Sequence, residues 1–450
     1  MDRILYYSTN RLSPHITFQE ALIKGLAPDG GLYMPGRIPK IKKSEFNNFR
    51  ESSYPEIASA VLWKFLEGEM RKSTLDNICE EAYNFKPLLE TIEPDLSIMR
   101  LDSGPTASFK DFAACLMARL IKHFNEETEK KIVILTATSG DTGSAVANAF
   151  LGMEGIRVVL LYPEKEVSDL QRKQMTTLGE NVTALAVDGK FDDCQLMVKA
   201  AFKDRDLESL TLSSANSINI GRLLPQMIYY FYAVSRLSHS DEELIFSIPS
   251  GNFGNMMGGV LAREMGLAIG KFVIAVNEND EFSKYLLDGT YTKIEPSIDC
   301  ISSAMNVGHP SNLVRLIDIY GGRMNEAGLI SRKPRLLNLK KDLWSVSISD
   351  KLTMETIRNV WDQFNVLLEP HGAVAWAGLE LYNIKKGYDK SIHKVIIETA
   401  HPSKFPEIIK QVLGFQPEVS KSLMSLADKK ENIRIIPANY AALKEYLLAI

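Results

Sequence analysis

Lys110 sits in the segment "SGPTASFKDF" (103–112), where a helical repeat begins. Phe112, Ala113, Leu116, Met117, Leu120, Ile121 and Phe124 recur at helical spacing and build one apolar face. Ser108 can cap this helix, with Asp111 three residues on as the acid of a short capping box. Lys110 then falls in the first turn, at the positive end of the helix dipole, where a cation loses about 0.3–1 kcal/mol. Burial and dipole together favour the neutral amine, a nucleophile that forms imines with aldehydes.

Two polar, glycine-rich turns share the pattern of a strand running into a helix: Ser139-Gly140-Asp141-Thr142-Gly143 and Ser250-Gly251-Asn252-Phe253-Gly254-Asn255. Each offers a run of backbone N–H groups at a helix N-terminus with few side chains in the way, a ready anion site. Either turn alone is equally explained by the needs of turning; both together, with a first-turn lysine, point to a bound anion. Neither fits G-x-x-x-x-G-K-[ST] or a full G-x-G-x-x-G with a following acid, which disfavours ATP and NAD and leaves a smaller phosphorylated cofactor. Pyridoxal phosphate joins both features, since an imine to lysine holds it and a helix N-terminus binds its phosphate. A third polar cluster, "SSANSINIGRLLPQ" (213–226), carries Ser214, Asn216, Ser217, Asn219 and Arg222, which serve either as caps or as donors to a second anion. His371 and His401 read as structural. No H-E-x-x-H, G-x-S-x-G or metal-ligand spacing is present, so no metal is expected.

These residues need a scaffold of strands that end where the turns begin. "KIVILTAT" (131–138), "RVVLLYP" (157–163), "NVTALAVDG" (181–189), "LTLS" (210–213), "ELIFSIPS" (243–250), "KFVIAVN" (271–277), "VSIS" (346–349) and "KVIIETA" (394–400) read as strands. Several helical segments separate them, including a long one expected over 220–237. Apolar strands without alternation, separated by helices, predict an α/β fold with parallel sheet covered on both faces. Ligands bind such sheets at the carboxyl edge. The first 95 residues differ, with a Pro/Gly-rich turn after residue 25 and a helical stretch over 54–84, and predict a small, mainly helical N-terminal domain.

At 450 residues the chain is long enough for two or three domains. A net charge of -4 with scattered basic residues argues against nucleic acid. Cys79, Cys115, Cys194 and Cys300 form no C-x-x-C pair, which fits a reducing compartment. With neither an apolar leader in "MDRILYYSTNR" nor a membrane-spanning run, a cytoplasmic protein is expected.

Eight segments, in order, resemble the threonine synthase family of fold-type II pyridoxal-phosphate enzymes: "GLAPDGGLYMP" (25–35), "GPTASFKDF" (104–112), "TATSGDTG" (136–143), "SANSINI" (214–220), "PSGNFGN" (249–255), "AMNVGHP" (304–310), "EPHGAVA" (369–375) and "TAHPSKF" (399–405). The first sets this family apart from dehydratases and cysteine synthases. The resemblance implies two doubly wound parallel-sheet domains beside the N-terminal domain (1–95): a large cofactor-binding domain (96–137 and 226–450) and a small lid (138–225). It implies Lys110 as the Schiff-base lysine, Ser250, Gly251, Asn252, Phe253, Gly254 and Asn255 as the cradle of the cofactor phosphate, and Thr399 as the hydroxyl facing the pyridine nitrogen. Ser139, Gly140 and Thr142 would grip the substrate carboxylate. Asp141 would lie near the cofactor 3′ oxygen, where relatives often carry Asn. Thr106, Ser108, Asn216, Ser217 and Arg222 would meet the substrate's phosphate. The implied activity is that of a lyase acting on O-phospho-L-homoserine and water to give L-threonine and phosphate, by a chain expected to be a monomer. A phospholyase on the same scaffold, a non-catalytic binder and a nucleotide-binding protein are the alternatives.

Overall fold

The apolar runs form strands of two mainly parallel sheets in a computed structural model that describes residues 3–126, 131–238, 242–426 and 429–450. The five-stranded sheet has the order Arg434–Pro437, Val182–Asp188, Ile156–Pro163, Ile132–Ala137, Thr211–Ser213, with every neighbouring pair parallel. The six-stranded sheet has the order Leu343–Ser347, Ile269–Val276, Leu244–Pro249, Lys394–Glu398, Leu96–Arg100, Leu88–Glu93, and only the last pair is antiparallel. Strands Ile132–Ala137, Leu244–Pro249 and Lys394–Glu398 are buried at every position, which is why they read as mainly apolar runs without alternation.

Three strands cross the boundaries drawn from sequence. Ile132–Ala137, placed with 96–137, pairs in the five-stranded sheet, and so does Arg434–Pro437 from the 226–450 segment. Leu88–Glu93, placed with 1–95, is the antiparallel edge of the six-stranded sheet. A strand's own residues say that it is buried, not which sheet buries it. Leu88–Glu93 and Arg434–Pro437 are edge strands, the first with no buried side chain and the second with one, so neither shows a long apolar run. The helix expected over 220–237 is also broken. Its regular turns span Ile220–Leu223 and Ile228–Leu237, with a tighter 3₁₀ turn over Leu224–Met227 that contains Pro225. Proline has no N–H to continue the ladder and crowds the preceding turn.

Helices Phe18–Lys24, Lys43–Asn48, Tyr54–Leu66 and Lys72–Ala82 dominate the N-terminal region, beside a short antiparallel pair of Tyr6–Ser8 with Tyr33–Pro35. This region braces the helix that carries Lys110. Tyr54 packs edge-on against Tyr83, Phe112 and Tyr232, and the Tyr83 hydroxyl donates to the Phe112 carbonyl at 2.7 Å. The Lys110–Glu126 helix is buried on nearly every side rather than on the one face expected, because it is packed between Asp141–Phe150, Lys72–Ala82 and Ile220–Leu223. No helix among the described residues is long and apolar enough to cross a membrane.

Candidate active site

Lys110 is placed by two neighbouring strands. Leu96–Arg100 and Lys394–Glu398 run parallel, so the chain leaves both at the same edge, and the two exits are laced together. Phe109 N–H donates to the Thr399 carbonyl at 2.8 Å, His401 N–H to the Ala107 carbonyl at 3.1 Å, and Ser108 bridges Ala400. Helix Lys110–Glu126 starts from this seam. The Lys110 side chain is 13% exposed and opens on a cavity of about 360 Å³. Burial lowers the Lys110 pKa below the ordinary lysine value; the carboxylate of Asp141 opposes this, and the cations Lys404 and Arg222 reinforce it.

Thr106 and Ser108, expected to face a substrate phosphate, are buried and do not line the cavity. The Asp111 carboxylate accepts from the Thr106 N–H at 2.8 Å and from its hydroxyl at 2.6 Å, while the Ser108 hydroxyl oxygen accepts weakly from Lys110 N–H at 3.4 Å. Their work is to hold the loop that aims Lys110. Asp111 acts as a loop anchor beyond the capping role expected of it, and burial pushes its carboxyl up to about 6.

The turn 250–255 follows strand Leu244–Pro249 and opens helix Gly254–Glu264. Phe253 takes a left-handed φ of 62° and stacks edge-on against Phe282. No described residue accepts from the N–H groups of Gly251, Asn252, Phe253 or Gly254. A Cβ at Gly251 would lie 2.9 Å from Met305 Cα and 3.0 Å from the Ala304 carbonyl. Tyr229 and Tyr230 both donate to Asn255 Oδ1, at 2.9 and 2.7 Å, and its buried amide nitrogen has no partner among the described residues. All six residues line the cavity.

The turn 139–143 follows strand Ile132–Ala137 in the other sheet. Thr138 Oγ1 accepts from the N–H groups of Gly140 and Gly143, at 3.0 and 2.7 Å. Ser139 and Thr142 line the cavity; Gly140 and Asp141 do not. Asp141 instead meets Lys110 Nζ at 3.6 Å through one oxygen, and Lys404 Nζ at 2.7 Å and Gln171 Nε2 at 2.9 Å through the other. Burial alone would raise the Asp141 pKa. The charges of Lys404 and Lys110, with hydrogen bonds from Lys404 and Gln171, outweigh it and hold the carboxyl far below its usual range.

Across the cavity, Arg222 is buried, its Nη1 donates to the Ala215 carbonyl at 2.6 Å, and its Nε has no partner among the described residues. Burial lowers its pKa to about 10. Asn216 and Ser217 line the cavity beside it, although the Asn216 amide already donates to the Ala137 carbonyl at 2.8 Å. Thr399 closes a further wall, its hydroxyl donating to Glu369 Oε1 at 3.1 Å. The Glu369 carboxylate also accepts from His371 Nδ1, and His371 Nε2 accepts from Ala304 N–H at 3.1 Å, so this histidine supports the cavity wall at 304.

Sequence reasoning passed over Lys190, Gln226 and Asn306, which line the cavity, and Lys404, which lies behind it. Lys404 was in plain sight in "TAHPSKF", but a lysine in a short polar segment carries no mark of being fully buried. Away from the cavity, Glu278, Cys300 and Asp350 bring potential ligand atoms within 4.8 Å of one another, a grouping that spacing along the chain does not reveal. Asp350 accepts from Ile301 N–H, and burial pushes the Cys300 thiol up to about 11.

The family pattern of the threonine synthase N terminus matches residues 5–83, that of pyridoxal-phosphate dependent enzymes residues 83–398, and that of the threonine synthase C-terminal region residues 373–447. The chain is 37% identical over 450 residues to threonine synthase of Haemophilus influenzae, spanning 98% of this chain and 99% of that protein. Against the Serratia marcescens threonine synthase the identity is 33% over 446 residues, with 99% of each covered. The fold matches the pyridoxal-phosphate-bound threonine synthase of Brucella melitensis with a TM-score of 0.91 at 33% identity, covering 99% of this chain and 98% of that one. The yeast threonine synthase structure gives 0.89 at 31% identity, with 99% of each covered. Over its whole length, then, the chain belongs to the threonine synthase family, within the pyridoxal-phosphate-dependent enzymes.

Proposed function

We propose that this cavity converts O-phospho-L-homoserine and water to L-threonine and phosphate, by loss of phosphate from Cγ and addition of water at Cβ. One observation carries the reading: Lys110 and two separate sets of anion donors, at 250–255 and around Arg222, open on the same cavity. One set suits a cofactor phosphate and the other a substrate phosphate.

The residues present fit pyridoxal phosphate. The four unclaimed N–H groups of 251–254, the free amide nitrogen of Asn255 and the space that a Cβ at Gly251 would fill make a phosphate cradle at a helix N-terminus. Lys110 would hold the aldehyde carbon and Thr399 would face the ring nitrogen. When bound, this group supplies the electron sink for charge developing on the substrate carbons.

The protein does the rest. Ser139 and Thr142, with the start of helix Asp141–Phe150, bind the substrate carboxylate and fix which bond at Cα is broken. The Lys110 amine, its pKa lowered by burial, moves protons one at a time: it takes one from Cα and gives it up before it takes one from Cβ, returns one to Cγ once phosphate has left, and returns one to Cα once water has added at Cβ. Arg222, with Asn216 and Ser217, binds the departing phosphate. Closure of the 138–225 region over the cavity keeps water out until Cβ is ready for it. We read the enzyme as a monomer and its place of action as the cytoplasm.

The test is to supply the purified protein with O-phospho-L-homoserine and follow threonine, phosphate and 2-oxobutyrate together. Threonine and phosphate in equal amounts are expected. Keto acid and ammonia as the main products would make the protein a phospholyase and overturn the reading.

A further inference from the structure

A buried carboxylate 3.6 Å from the working amine is a problem for that amine. An opposite charge at this range favours the charged form of its neighbour by about one to three pKa units, and a protonated Lys110 is neither nucleophile nor base. The structure contains an answer that nothing in the sequence suggested. Lys404 is fully buried, and its Nζ sits closer to Asp141, at 2.7 Å, than that of Lys110 does. Its remaining contact is the Thr106 carbonyl at 3.0 Å, in the loop that aims Lys110. Gln171, from helix Asp169–Thr176, adds a neutral bond to the same Asp141 oxygen.

We propose that Lys404 is a positioning residue for Lys110: it takes up the charge of Asp141, so that the carboxylate orients the Lys110 amine without holding a proton on it. Asp141 and Lys404 thereby act as one neutral unit joining the two sheets, since Asp141 follows a strand of the five-stranded sheet and Lys404 a strand of the six-stranded one. The charged groups bearing on Lys110 are Asp141, Lys404 and Arg222; those bearing on Lys404 include Asp141, Asp111, Lys110 and His401. Replacing Lys404 removes a repulsion from Lys110 and frees the Asp141 charge to attract it, and both effects favour the ammonium form. Replacing Asp141 works in the opposite sense, leaving Lys404 as an unpaired cation nearby.

The proposal rests on the reading of Lys110 as the working amine, and its test is separate from that reading. Cyanate carbamylates only neutral amines, so the rate of carbamylation of Lys110 against pH, followed by peptide mass spectrometry on the cofactor-free full chain, reports its protonation without cofactor or substrate. Lys404→Met should raise the midpoint by about one to three units, roughly a tenfold slower reaction per unit below the midpoint. Asp141→Asn should lower it, Lys404→Arg should leave it near the parent value, and the double variant Lys404→Met with Asp141→Asn should fall between the two single ones. If Lys404→Met does not fold, the comparison of Asp141→Asn with the double variant decides: the double must lie higher. Single variants that both leave the midpoint in place, that move it in the same direction, or a double equal to Asp141→Asn, would overturn the proposal. A midpoint pattern as expected in a protein that forms no threonine would count against the functional reading alone.

Discussion

The two glycine turns begin alike, each leaving a buried parallel strand for a helix, yet they handle charge in opposite ways. The 250–255 turn is electrically neutral, the N–H groups of 251–254 are unclaimed by any described residue, and its one polar side chain at the helix start, Asn255, is held by two tyrosines with its amide left over. The 139–143 turn spends a threonine hydroxyl on two of its own N–H groups and carries a buried carboxylate that meets two lysines and a glutamine. The first is built to receive an anion from outside. In the second an anion is already part of the chain, and the surroundings are arranged to keep that anion from disabling the amine beside it.

The sharpest way to separate the turns is to remove the amine between them. Lys110→Ala should lower turnover by about 10²–10⁴-fold, the range of a lost general base, while cofactor still binds non-covalently in the 250–255 cradle. Product assay and cofactor titration check the two halves. Gly251→Ala should do the reverse. Its Cβ meets Met305 Cα and the Ala304 carbonyl at 2.9 and 3.0 Å, so the wall must shift, and cofactor affinity should fall by about 1–3 kcal/mol with Lys110 intact. Arg222→Met should act on neither turn. It removes a charged donor from the second anion site, and we expect KM for the phosphorylated substrate to rise by an amount equivalent to about 1.5–3 kcal/mol, with cofactor binding unchanged.

The smallest effect is on stability. Asp141 titrates far below an unfolded carboxylate, so it contributes stability that is present above about pH 4 and lost as the pH falls through its folded value. Asp141→Asn should therefore flatten the acid side of the urea-stability profile below about pH 4. An unchanged profile would mean that Asp141 is not held as a charged group, and the contrast between the turns would fail.

What the sequence revealed follows the physics of each element. Buried parallel strands are runs of apolar residues, so most of both sheets was legible, as were the two turns at their edges. Lys110 was legible because a lysine in a first helical turn breaks a local rule. Edge strands Leu88–Glu93 and Arg434–Pro437 were not, since exposed side chains erase the signal. Lys404 was hidden for a different reason. Its burial comes from the lacing of 107–109 to 399–401, a contact between segments nearly three hundred residues apart that no local pattern records. Thr106 and Ser108 were misplaced for a related reason: their nearness to Lys110 in sequence suggested a shared cavity, whereas the loop turns them behind the lysine to hold Asp111 and the helix start.

The central claim is that Lys110, and no other lysine, joins the cofactor. Borohydride reduction of the purified protein, followed by peptide mapping, tests it most directly, because Lys404 lies at the same carboxylate and Lys190 lines the same cavity. The account predicts a single phosphopyridoxyl group on the peptide containing Lys110. The group on Lys404 or Lys190, or on no lysine at all, would contradict it.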